Sequence, residues 1–260
     1  MHNNNKILKY FQSQKIDHVL FDMDGTLIDT DTYYGRKTEK VLKIVLNILY
    51  GNPSEEKTEE IIKEIRKIMM QEYSERGKPG LINEQTEKGL KRYLEKHSTD
   101  RKGGIDTDEI INNLYYDFYS TSPAVFSATL DILHILKENN IPKGVYSHAQ
   151  HDWTEIKINK IKKLYTQKYN KNLSLPFFTT DIKDDKNPKG WEMAAKHLDF
   201  ELRNTLVVGD NLYSDILPAI QAGCKNLVHI SEKVASIEYE IPKEVSLHTV
   251  QNIENLFNVF

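Results

Sequence analysis

The stretch Phe21-Asp22-Met23-Asp24-Gly25-Thr26 closes a short apolar run, His18-Val19-Leu20, with two carboxylates two positions apart. In a strand, residues at that spacing point the same way, so their charges repel unless a cation sits close by. The stretch therefore calls for a metal, a lysine or both. Three later apolar runs end in polar groups as well. Gly144-Val145-Tyr146 closes in Ser147-His148, and Leu206-Val207-Val208 closes in Gly209-Asp210, with Asp215 five residues on. After Phe177-Phe178-Thr179-Thr180 comes a polar loop that supplies Lys186 and Lys189.

This assortment suits phosphoryl transfer. Asp22 is the expected nucleophile, forming an aspartyl phosphate that divides hydrolysis into two easier displacements. Attack brings an anion onto a dianion, so a hard divalent cation, magnesium, is expected against both, held by Asp22 and Asp210. Asp24 is the expected acid and base, protonating the leaving alkoxide and then taking a proton from water. Lys186 neutralises charge on the transferring group, with Lys189 as the alternative lysine. Ser147 donates to a phosphoryl oxygen, and main-chain N–H groups after Asp22 complete the cradle, with Gly25 allowing a tight turn.

These residues need a scaffold that delivers strand ends to one edge. Apolar runs at 18–23, 143–147, 176–180, 204–210 and 226–230 alternate with helical patterns, which predicts a parallel α/β sheet with helices on both faces. Ligands of such sheets bind beyond the carboxyl ends of the strands, where the residues named above fall. Residues 31 to 122 break the alternation. They carry 3.6-residue periodicity over 31–50, 54–76, 83–97 and 107–120, and read as an inserted helical domain between core segments 1–30 and 123–260.

In order and spacing, Asp22-Met23-Asp24-Gly25-Thr26-Leu27-Ile28-Asp29, Gly144-Val145-Tyr146-Ser147, Lys186-Asn187-Pro188-Lys189 and Val207-Val208-Gly209-Asp210 through Asp215 resemble the four motifs of the haloacid dehalogenase superfamily. The resemblance runs from residue 18 to about 230 and implies a three-layer, Rossmann-like core with an all-α cap inserted after the first motif. It implies Asp22 as nucleophile, Asp24 as acid and base, Ser147 on the phosphate and Asp210 on magnesium, with Asp215 supporting the metal's waters or the lysine. The family's third motif reads lysine-proline, whereas here an asparagine intervenes; the distance after the third run favours Lys186 over Lys189. The full expected set is Asp22, Asp24 and Lys186 for catalysis, Gly25, Thr26, Ser147 and His148 for phosphate, and Asp22, Asp24, Asp210 and Asp215 for the metal. His148 and His151 stay outside the catalytic set.

The implied activity is magnesium-dependent hydrolysis of a small phosphomonoester. A sugar-phosphate mutase, or a binding protein that keeps the fold without turnover, are the alternatives. Asp24 argues against a dehalogenase, which attacks carbon and needs neither a second aspartate nor magnesium. The chain has 260 residues, 28% of them charged, and a net charge of -3, so no basic field points to a nucleic-acid polymer or an anionic membrane. Its single cysteine, Cys224, excludes an intrachain disulfide, reads as a small buried hydrophobe, and fits a cytoplasmic setting. Hinges are expected near Asp29 to Thr32 and Thr121 to Pro123. The turn 74–80, with Arg76 and Lys78, is the expected substrate-reading loop.

Overall fold

The computed structural model describes residues 2–76, 81–97, 104–180, 186–231 and 240–259. In chain order the elements are α1 (His2–Gln14), β1 (His18–Phe21), β2 (Ile28–Asp29), α2 (Thr30–Tyr50), α3 (Glu55–Arg76), α4 (Ile82–Lys96), α5 (Thr107–Tyr115), β3 (Ala124–Val125), α6 (Ser127–Glu138), β4 (Lys143–His148), α7 (His151–Tyr169), β5 (Phe177–Thr180), α8 (Pro188–His197), β6 (Thr205–Gly209), α9 (Leu217–Gln221), β7 (Asn226–Ile230), β8 (Ser246–Val250) and α10 (Leu256–Val259). The chain forms two compact units, Met1–Thr30 with Ser122–Phe260, and Asp31–Thr121.

The first unit is built on a parallel sheet in the order β5-β4-β1-β6-β7-β8. Alternation along the strands makes it the middle of three layers. Val19, Phe21, Val145, Leu206, Val208 and Val228 pack with Ile7 and Phe11 of α1, Ile132, Leu133 and Leu136 of α6, and Ile158, Ile161 and Tyr165 of α7. Leu20, Tyr146, Val207 and Leu227 face the other way, against Trp191, Ala194 and Ala195 of α8 and Ala219 and Ile220 of α9. Strands buried on both faces read as continuous apolar runs, which is why β1, β4, β6 and β7 were visible in the sequence, while the half-buried edge strand β5 showed through Phe177-Phe178. The sixth, β8, is a half-exposed edge strand with the sequence Ser246-Leu247-His248-Thr249-Val250, and its polar alternation concealed it.

The strand order has a functional consequence. β1 lies between β4 and β6, with Phe21 paired to Val145 on one side and Val208 on the other. The residues that follow these strands therefore emerge side by side. Two-residue strands β2 and β3 pair antiparallel, Ile28 with Val125 and Asp29 with Ala124, where the chain leaves and re-enters this unit.

In the second unit, helices α2 to α5 bury Leu42, Val45, Leu46, Ile61, Ile65, Leu90, Ile111 and Tyr115. Asp106 caps α5 by accepting from the N–H groups of Asp108 and Glu109. The helix expected to run to residue 120 ends at Tyr115, followed by a 3-10 turn at Phe118–Ser120 that drops Phe118 into the interior. Among the described residues, no helix is long and apolar enough to cross a membrane. The side chains of Arg76 and Lys78, the expected substrate readers, lie outside the described residues.

Candidate active site

Asp22 leaves β1 with its N–H still donating to the Val208 carbonyl at 2.8 Å, so sheet pairing fixes its main chain. The chain then turns at Gly25, whose φ of +79° lies in the left-handed region. A Cβ on Gly25 would also stand 2.4 Å from an Asp210 carboxylate oxygen, so glycine serves both the turn and the close approach of Asp210.

Asp210 follows β6 and leads into a widened π-type turn, Leu212–Ile216, that carries Asp215 inward. The Asn211 side chain accepts from the N–H groups of Tyr213 and Ser214, and the Asn211 N–H donates to Asp215 Oδ2 at 3.0 Å. The turn and the carboxylate thus fix each other. A Cβ at Gly209 would meet the Asp215 side chain at 2.5 Å, so this glycine makes room for the acid.

Lys186 comes from the opposite direction. Asn187 accepts from the Gly190 N–H to cap α8, and Pro188 takes the first helical position, where its missing N–H costs nothing. The asparagine that interrupts the expected lysine-proline pair is therefore a helix cap, and it sets Lys186 just ahead of the helix. The Lys186 ammonium is buried and donates to Asp22 Oδ1 and Asp215 Oδ1, both at 2.6 Å. Tyr146 and Trp191 stand 4.9 and 5.0 Å from it, ring centroid to Nζ, and wall it in. Lys189 is exposed on α8.

Carboxylate oxygens of Asp22, Asp210 and Asp215 lie within 4.8 Å of one another. Three acids face one lysine. Burial pushes Asp22 up to about 7 against the pull of Lys186, and pushes Asp210 up to about 9 with repulsion from Asp22 and Asp215 adding to it. Burial alone would lower Lys186, but Asp215 and Asp22 outweigh it and raise its pKa. The cluster holds more negative charge than its lysine offsets, and an all-oxygen donor set with that excess fits a hard divalent cation.

Three further expected residues have partners of their own beside the cluster. The Asp24 side chain, expected among the metal ligands, is not in the acidic cluster; Lys157 of α7 donates to both its oxygens, at 2.8 and 2.7 Å. The Thr26 hydroxyl, expected on the phosphate, donates to Asp210 Oδ1 at 3.3 Å. Ser147 is fully buried at the end of β4 and donates to Asp24 Oδ2 at 3.4 Å. His148 ends the same strand, half-buried. Cys224 is buried, its thiol donating to the carbonyls of Thr205 and Asn226.

Lys157 was missed because a lysine in Trp153-Thr154-Glu155-Ile156-Lys157-Ile158 reads as a solvated helix position. The available signal was its place on the apolar stripe Trp153, Lys157, Ile161, Tyr165, spaced by four and buried throughout.

Comparison with known proteins agrees with this fold. The profile of the haloacid dehalogenase-like hydrolases matches residues 16–223. A Clostridium perfringens (strain 13 / Type A) protein provisionally named pyrophosphatase PpaX is 27% identical over 210 residues, covering 81% of this chain and 82% of that one. Among solved structures, the provisional HAD-hydrolase YfnB from Bacillus subtilis, described as bound to magnesium, superimposes with a TM-score of 0.61 at 12% identity over 94% of this chain and 98% of that one. A haloacid dehalogenase-like family hydrolase from Xanthomonas campestris gives a TM-score of 0.60 at 14% identity, covering 94% of each chain. At such identities the two structures speak to the fold.

Proposed function

The chain belongs to the haloacid dehalogenase-like hydrolases, and on that premise we propose that it is a magnesium-dependent phosphatase acting on a small phosphorylated metabolite through an aspartyl phosphate on Asp22. The observation that carries the reading is Lys186 bridging Asp22 and Asp215 at 2.6 Å each, with Asp210 in the same cluster. A nucleophilic carboxylate needs a fixed cation at its shoulder and an open oxygen, and Lys186 binds Asp22 through Oδ1.

In the first step an Asp22 oxygen bonds to phosphorus as the bond from phosphorus to the ester oxygen breaks. Asp24, paired with Lys157 as a carboxylate in the free protein, takes up a proton as substrate binds and gives it to the departing alkoxide. In the second step water attacks the same phosphorus, gives a proton to Asp24, and releases phosphate with the Asp22 carboxylate restored. Lys186 offsets charge on the phosphoryl group throughout, Ser147 serves as a donor at the end of β4, and Thr26 keeps Asp210 in place. Magnesium, held by Asp22 and Asp210 with Asp215 behind them, would supply Lewis-acid neutralisation of the phosphoryl oxygens. The helical unit is the cap in this reading.

The resemblance to a protein named as a pyrophosphatase adds inorganic pyrophosphate to the candidate substrates. The test is phosphate release from a panel holding pyrophosphate, sugar phosphates, nucleotides, phosphoglycolate-like acids and an aryl phosphate. Release that requires magnesium and stops with excess chelator is expected. Full activity in chelator would remove the metal from the account, and isomerised product without free phosphate would favour a mutase.

A further inference from the structure

Asp24 has a cation of its own. Lys157 is 0% exposed, and its ammonium donates to both Asp24 oxygens while lying 3.8 Å from the centroid of the Trp153 ring, one helical turn earlier on α7. The Thr30 hydroxyl donates to Asp24 Oδ1 at 2.6 Å, and Ser147 completes the set on Oδ2. The carboxylate is thus gripped at both oxygens by groups from three elements, α7, the start of α2 and the end of β4.

Burying the Lys157 ammonium against Asp24, whose side chain stays 27% exposed, is a poor way to gain stability, because the lysine's charge leaves water and a well-packed apolar residue of the same volume is often as good or better. The position makes that substitution natural: Trp153, Ile161 and Tyr165, its neighbours on the stripe, are apolar and buried. A lysine there needs an explanation in what it does to Asp24. An aspartate at a loop end has two side-chain torsions free to wander, and proton transfer needs its oxygen held at hydrogen-bond reach of the ester oxygen. Lys157 removes that freedom, and Trp153 in turn fixes the ammonium from behind.

We propose that Lys157 is a positioning residue for Asp24, holding the proton-transfer carboxylate in one orientation from α7, with Trp153 as the support of the lysine. This rests on the reading of Asp24 as the group that protonates the leaving oxygen. Lys157 is bonded to Asp24 and not to the acidic cluster, so its effect passes through Asp24.

The test uses the full-length protein with magnesium and a series of phosphate esters whose leaving groups range from nitrophenol to simple alcohols, scored by kcat/KM, which reports the step that expels the leaving group. Good leaving groups depart unaided, and poor ones need the proton. Lys157→Met should leave the nitrophenyl ester within a few-fold of wild type and cost about 10²-fold on the alkyl ester, steepening the dependence on leaving-group basicity. Asp24→Asn should steepen it further, the double variant should match Asp24→Asn alone, and Lys157→Arg should recover part of the wild-type slope. Thermal unfolding is followed for each variant, and Lys157→Gln replaces Lys157→Met if the latter does not fold. An equal loss on every ester, or a loss that adds in full to that of Asp24→Asn, would overturn the proposal while leaving the phosphatase reading intact. A wild type that releases no phosphate from any ester would overturn that reading, and this inference with it.

Discussion

Two buried lysines serve the same rim of the sheet in opposite ways. Lys186 reaches Asp22 and Asp215 from the loop before α8, among three acids that it cannot balance. Lys157 reaches Asp24 from the middle of α7 and forms a one-to-one pair. Both ammonium groups are backed by aromatic rings, Tyr146 and Trp191 for the first and Trp153 for the second. The difference in charge balance separates their roles. On the proposed function, the first region is left short of positive charge because it is to admit a dication and a phosphoryl group, whereas the second, complete within the chain, is proposed to fix geometry.

The comparison breaks most readily at Lys186. Lys186→Met should lower the rate of phosphate release at saturating magnesium by roughly 10²–10³-fold, on aryl and alkyl esters alike, because it acts on the transferring group and not on the leaving one. Lys189→Met, altering an exposed residue on α8, should leave the rate near wild type. A Lys186→Met enzyme less damaged than Lys157→Met on the alkyl ester would invert the proposed ranking.

A smaller effect distinguishes the two regions without any substrate. In the metal-free protein burial raises Asp22 from 3.8 to about 7 and Asp210 to about 9, so between about pH 4 and 9 the native state holds protons that the unfolded chain has released. The stability these two acids contribute is therefore fully present below their unfolded pKa and lost as pH rises through 7 and 9. On the proposed function, a bound dication would take the place of those protons. Magnesium should accordingly raise the melting temperature more at pH 9 than at pH 5, by ~5–10 °C at about a hundredfold excess over its dissociation constant. Asp210→Asn should weaken the increment, and Lys157→Met should leave it unchanged. An increment independent of pH would mean that the acidic cluster is not where the metal binds.

The same two lysines show what was legible in the sequence and why. Strand-borne chemistry could be read because a parallel sheet aligns the carboxyl ends of its strands, so an acid, a serine and another acid closing three apolar runs must meet once β1 lies between β4 and β6. Lys186 could be placed because it follows one of those runs at short range. Lys157 could not, since it lies within a helix and only tertiary packing turns a lysine on a helix stripe into a buried counter-charge. Edge strand β8 and helix α1 escaped for the opposite reason, as both hide a few apolar contacts, Val250 or Ile7 and Phe11, in otherwise polar segments. The tie from Thr26 to Asp210 and the grip on Asp24 are matters of side-chain direction, which spacing alone does not determine.

The central claim is that Asp22 carries the phosphoryl group, and the most direct measurement is to catch it there. The wild type is mixed with its fastest ester and magnesium, quenched in acid during turnover, reduced with borohydride to mark any acyl phosphate, and mapped by peptide mass. The account predicts the mark on Asp22, and no mark in Asp22→Asn. A mark on another residue, or continued phosphate release by Asp22→Asn with deamidation excluded, would contradict it.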